Sequence, residues 1–150
     1  MNNNLWNISL PVKLFDDDIT ADNLFDFIYY DEVVQERLKN NNLFVINSQN
    51  NNYSIWHMDD VVGKVNALYM KGNDLFANVD IFLSTPNGKI IKELYDMFHT
   101  ENNPIFYLTP HGMKNGNKIT NINAFTLWHQ PSQGSLGNMN MLEYEGDDIK

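Results

Sequence analysis

Val61-Val62-Gly63-Lys64-Val65-Asn66-Ala67-Leu68-Tyr69-Met70-Lys71-Gly72-Asn73-Asp74-Leu75-Phe76-Ala77-Asn78-Val79-Asp80-Ile81-Phe82-Leu83 decides the fold class. Val61, Gly63, Val65, Ala67 and Tyr69 alternate with Val62, Lys64, Asn66, Leu68 and Met70. After a break, Leu75, Ala77, Val79, Ile81 and Leu83 alternate with Phe76, Asn78, Asp80 and Phe82. A two-residue period is that of a strand, whose side chains point to opposite faces in turn. Between the runs, Lys71-Gly72-Asn73-Asp74 has tight-turn composition, so the stretch predicts a β-hairpin.

The rest of the chain adds strands around this hairpin, interrupted by two helices. Leu5–Phe15 reads as a strand with Pro11 at an edge or an end, and Asp16–Asp18 as a solvated turn. Thr20–Asn40 reads as one helix, capped by Thr20 or Asp22 and striped by Leu24, Phe27, Ile28, Val34 and Leu38. Leu43–Ile46 and Tyr53–Met58 are short strands. Thr85-Pro86 has the form of an N-cap followed by proline in the first turn. Ile90, Ile91, Leu94, Tyr95 and Phe98 then form an apolar helical stripe that Asn102-Asn103-Pro104 ends. Ile105–Leu108 is a short buried strand, Met113–Asn117 a turn and Ile119–Trp128 a long strand. On that last strand Phe125 and Leu127 share a face with Asn121 and Asn123, and Ile122, Ala124, Thr126 and Trp128 share the other. These elements predict an α+β fold: an antiparallel β-sheet or small β-barrel with two or so flanking helices. Residues 1–150 form a single domain in this reading, with about 136–150 a mobile acidic tail.

Composition narrows the function. The formal charge is −9, which gives no basic footprint for nucleic acid or an anionic membrane. There are no cysteines, hence no disulfide, thiolate metal site or cysteine nucleophile. No apolar run approaches the roughly 18 residues a membrane span needs, and Met1–Trp6 lacks a basic region followed by an apolar one. A cytosolic setting is expected. His57, His99, His111 and His129 show no metal-ligand spacing, so neither a metal nor a cofactor is expected. Trp6, Trp56 and Trp128 read as core or interface anchors.

From Trp56 to Ser135 the order of elements is similar to the core of tailed-bacteriophage prohead (capsid maturation) proteases. It runs strand, Lys-Gly-Asn-Asp turn, strand, Thr85-Pro86 helix, short strand leading to Gly112, long strand, Pro131-Ser132. The resemblance implies a herpesvirus-assemblin-like barrel and a place in phage head assembly. Its partners would be a capsid or scaffold protein, with a homo-oligomer in view. The setting would be the host cytoplasm during assembly, then the virion head.

That resemblance also implies where chemistry would sit. The nucleophile of such enzymes lies in a serine-containing stretch after the short strand, which here is Thr109-Pro110-His111-Gly112. Thr109 falls on the first serine and Pro110 on the second, and proline is no nucleophile. Gly112 keeps the turn glycine, whose amide would face an oxyanion. The base histidine would fall near Ser48, and the nearest histidine in sequence is His57. The favoured expectation is a catalytically degenerate, structural or capsid-associated protein. The first alternative is an active serine-protease-like endopeptidase with threonine in place of serine, using Thr109 with His57 or His111. The second is a small acidic phage protein that binds a host factor. Without catalysis, Thr109 is a strand-end residue and His111 a turn residue.

Overall fold

A computed structural model describes residues 4–14, 19–47, 60–100, 102–129 and 142–144. The elements run β1 (Leu5–Val12), α1 (Ala21–Tyr30), α2 (Glu32–Lys39), β2 (Phe44–Asn47), β3 (Val61–Lys71), β4 (Asp74–Phe82), α3 (Pro86–Phe98), β5 (Phe106–Asn115), β6 (Lys118–His129) and β7 (Leu142–Tyr144). Six strands in the order β1-β4-β3-β2-β6-β5 close into a barrel, because β1 also meets β5, and β7 flanks β5 outside the ring. The small barrel with flanking helices is thus present, with one refinement. The sheet is mixed: β2 runs parallel to β6 and β1 parallel to β5, while the remaining ring pairs are antiparallel.

The hairpin forms where alternation places it. Lys71 pairs with Asp74 across Gly72-Asn73, and Gly72 takes a φ of 65°, the glycine-first arrangement of a two-residue turn. Strict alternation does not survive along β3, however. Val62 and Asn66 are each an extra residue against the partner strand, so the register shifts twice. As a result Val62, Val65, Leu68 and Met70 face the core, while Ala67 and Tyr69 are exposed. β6 repeats the device. Its register against β5 shifts at Asn123 and again at Thr120, and Ile119, Ile122, Phe125 and Leu127 all join the core. Ile122 therefore does not share the face of Ala124, Thr126 and Trp128, as alternation predicts. Each bulge inserts one residue and bends its strand, which is how a short barrel closes.

The single helix expected over Thr20–Asn40 is two helices. Asp31, extended at φ −82° and ψ 121°, ends α1 and caps α2 by accepting the Val34 amide at 3.1 Å. The break rephases the chain, because Val34 lies off the Leu24–Ile28 stripe in a continuous helix but is fully buried here. Thr20 caps α1 in a reciprocal box with Asn23. Arg37 on α2 donates to the Ile122 carbonyl at 2.9 Å, holding α2 against a β6 bulge. Thr85 caps α3 by accepting the Gly88 amide at 2.9 Å, with Pro86 opening the helix.

The outward face of β1, β4 and β3 is a polar lattice. Asn7 donates to Asn78 at 2.9 Å and to Asp80 at 2.8 Å, and Lys64 pairs with Asp80 at 3.3 Å. Burial raises the Asp80 carboxyl pKa, but hydrogen bonds from Asn7, Asn66 and Lys64 outweigh it and hold the group below its ordinary value. Within the segment expected as a tail, Leu142–Tyr144 form β7 against Gly112–Lys114. The candidate strand Tyr53–Met58, the Asp16–Asp18 turn, Trp56 and Pro131-Ser132 lie outside the described residues. Among the described residues no helix is long and apolar enough to cross a membrane.

Candidate active site

The Thr109-Pro110-His111-Gly112 stretch lies inside a strand, not after one. β5 runs on to Asn115 and the turn falls at Gly116-Asn117, so His111 and Gly112 are strand residues. Strand geometry then sorts the side chains. Phe106 and Leu108 point into the barrel with Leu127 and Phe125, whereas Tyr107, Thr109 and His111 point outward, opposite Trp128, Thr126 and Ala124. Ile46 of β2 lies beside Thr126 on the same face. Outward does not mean exposed. Thr109 and Thr126 are each 1% accessible and His111 4%.

Thr109 has a defined partner. Its Oγ1 accepts the Trp128 indole N–H at 3.0 Å, and no histidine is bonded to it among the described residues. His111 stands two residues further along the same strand face, a rise of roughly 6.6 Å. Across the strand pair, Thr126 Oγ1 is buried with no hydrogen-bond partner among the described residues. Tyr107 completes the row, its phenol pushed up to about 12 by burial, with Lys13 Nζ 5.9 Å from the ring centre. The face is therefore a layer of buried hydroxyls, an imidazole and aromatic rings.

Pro110 fits this strand for a reason the topology supplies. Leu108 points its carbonyl to the β1 edge, where it accepts the Lys13 amide at 2.8 Å, and Pro110 has the same parity. On that edge β1 reaches only Leu108 and β7 begins at Gly112. The missing N–H of Pro110 thus falls in the gap between two neighbours and costs no ladder bond to β6. Gly112 is required by a close approach, not by a turn: a Cβ there would lie 2.0 Å from the Asn121 carbonyl oxygen. It is buried, with β6 on one side and β7 on the other. An amide that serves an oxyanion must face open space where the reacting oxygen sits.

His57 lies outside the described residues, as does the side chain of His129, whose backbone ends β6 opposite Phe106. His99 caps α3, eight residues before Tyr107 in the chain and bonded to the strand entry, not to Thr109. Its Nδ1 accepts the Ile105 amide at 3.1 Å and the Phe106 amide at 3.4 Å, and the ring stacks on Tyr95 at 4.2 Å. Burial lowers its pKa below the ordinary 6.5. On acidification the unfolded chain takes up this proton first, so the contribution to stability is whole above pH 6.5 and declines as pH falls toward the folded value. Urea titrations at pH 7 and pH 5 should show wild type losing more stability than His99→Gln over that interval. An equal loss in both would mean that burial does not hold the His99 imidazole below its ordinary pKa.

Among the described residues no three of His, Asp and Glu come together in a way that could hold a metal ion. No sequence motif points to Thr126 or Tyr107, and Trp128 reads there only as a core or interface anchor, not as the partner of Thr109. Alternation along Ile119–Trp128 puts Thr126 and Trp128 on one face, and extending the 105–108 strand by a few residues pairs Thr109 with that face. No family model, curated protein or solved structure matches this chain.

Proposed function

We propose that this chain is a non-catalytic head-assembly protein of a tailed bacteriophage, a prohead-protease-like barrel retained as a structural or capsid-associated component. One observation carries the loss of catalysis: Thr109, where the resemblance places the nucleophile, is 1% accessible and spends its Oγ1 as acceptor of the Trp128 indole N–H. A nucleophilic hydroxyl needs a base to take its proton and an open approach for a carbonyl carbon. Here Pro110 replaces the second hydroxyl, and Gly112 sits between paired strands. The lineage is supported by the β3–β4 hairpin, the Thr85-Pro86 helix that follows it and the closed barrel.

In this reading the protein works in the host cytoplasm during assembly, binds a capsid or scaffold protein and enters the head intact. Its charge of −9 suits docking on a basic capsid face. Co-expression with the capsid and scaffold proteins of the same phage tests it. Wild type and Thr109→Ala should both leave those proteins at full length, and the chain should copurify uncut with assembled heads. Processing that occurs with wild type and disappears with Thr109→Ala would overturn the non-catalytic reading. Absence from heads, with no processing, would overturn the structural one.

A further inference from the structure

We propose that the outer face of α1 and the bend into α2 bind an arginine-rich segment of a partner protein, whose guanidinium groups lie on exposed tyrosine rings and pair with the α1 carboxylates. Tyr29 is 63% exposed and Tyr30 76%, and Val33 beside them is exposed too, so three large side chains are left in water at one bend. The two tyrosine rings meet edge to face at 4.9 Å, and Phe25 stacks on Tyr29 at 6.5 Å, which orders the row before anything binds. Contiguous exposed apolar side chains mark an interaction surface, and tyrosine is among the residues that carry most binding energy.

Charge complementarity identifies the partner. From Ile19 to Glu36 the chain carries Asp22, Asp26, Asp31, Glu32 and Glu36 and no lysine or arginine. Two of these serve the fold: Asp31 accepts the Val34 amide, and Glu32 lies in the first turn of α2, where the helix dipole favours an anion. Asp22 and Asp26 serve no such end. They are exposed and one turn apart, a like-charge spacing that weakens a helix, and α1 has no basic residue in its last turn. A cation from outside relieves both defects.

The chain's own cations are placed elsewhere. Of its ten lysines and arginines only Lys150 falls outside the described residues, and the rest of those segments is acidic, Asp16–Asp18 included. Arg37 is turned to the Ile122 carbonyl, and Lys39 lines with Tyr29 a groove that neither Asp26 nor Tyr30 borders. Asp26 lies one turn before Tyr30, so a single guanidinium can pair with the carboxylate and stack on the ring. Arginine suits this better than lysine, because its planar fork does both at once. The proposal gives the docking on a basic partner a surface, and rests on the head-assembly reading only for the source of the segment.

Fluorescence anisotropy on the full chain at about 0.15 M salt tests the site, with a labelled decapeptide of alternating arginine and serine as probe. Binding with a Kd below about 1 mM is expected, at least about tenfold weaker for the uncharged citrulline-serine counterpart and about threefold weaker for lysine-serine. Asp26→Asn and Tyr30→Ser should each weaken it about three- to tenfold with far-UV spectra unchanged. Glu93→Gln removes the same charge from an exposed position on α3 and should change it less than about twofold. No binding, equal binding of the citrulline peptide, tighter binding of the lysine peptide, equal loss in Glu93→Gln, or no loss in Asp26→Asn and Tyr30→Ser would each overturn the assignment. So would a dimer in solution that Tyr30→Ser dissolves, since a second copy would then cover the rings. The measurement needs no phage protein, so its failure is distinguishable from that of the head-assembly reading.

Discussion

Phe125→Ala is expected to lower the unfolding free energy by about 3–5 kcal/mol, a large share of what a domain of this size possesses. Phe125 is fully buried and among the largest side chains in the core. It sits on β6 between Val45 of β2 and Pro110 of β5, at the stretch where β6 has just passed its second bulge. Truncation leaves a cavity whose walls are barrel strands fixed by ladders on both sides, so little collapse can fill it. The neighbouring Thr126→Val supplies the contrast. That residue points outward with a buried hydroxyl unpartnered among the described residues, and replacing it with an isosteric methyl should be neutral or slightly stabilising. Urea denaturation of both variants measures the difference. A Thr126→Val loss as large as that of Phe125→Ala would mean that the inward and outward faces of β6 have been exchanged.

Gly112→Ala should be the most damaging single-methyl addition in the barrel, costing about 3 kcal/mol or more. The added Cβ would meet the Asn121 carbonyl oxygen at 2.0 Å and Ile122 Cα at 2.9 Å, both backbone atoms at the β6 bulge, so neither can swing aside. Relief requires β5 and β6 to separate locally, which also disturbs the Thr109–Trp128 contact. Gly116→Ala separates this steric cost from a conformational one. At Gly116 nothing lies within 4 Å, but φ is 65°, so the penalty there is left-handed strain of about 1 kcal/mol. Thermal unfolding of the two variants should rank Gly112→Ala well below Gly116→Ala. Similar values would show that β5 and β6 do not approach as closely as their register indicates.

How far the fold was legible depended on where alternation held. The β3–β4 hairpin, its two-residue turn, the Thr85-Pro86 start of α3 and the barrel class were readable, because each is set by neighbours close in sequence. The faces of β3 and β6 were not. Val62, Val65 and Leu68, like Ile119, Ile122 and Phe125, recur at intervals of three, which matches neither a straight strand nor a clear helix. That spacing arises from bulges fixed by partner strands distant in sequence, and a single strand contains no record of them. The split at Asp31 was readable in principle, since Val34 is out of phase with Leu24 and Ile28. At the candidate site, the sequence reads Thr109 as a strand end and His111 as a turn residue, because the apolar run of the short strand stops at Leu108. A proline at a gap between β1 and β7, and a glycine at a bulge, are tertiary facts.

The bridge between Val12 and Leu108, with the Lys13 amide on the Leu108 carbonyl, joins the barrel's first strand to one near its far end. Every other ring contact of β1 is with β4, itself distant along the chain. Closing so long a loop is an entropic cost that increases slowly with length but returns nothing until both partners are in place. The order of assembly follows. The β3–β4 and β5–β6 hairpins, being local, can form early, and the N-terminal strand is the last stave to enter. During synthesis this strand leaves the ribosome before both strands it joins and must wait for them.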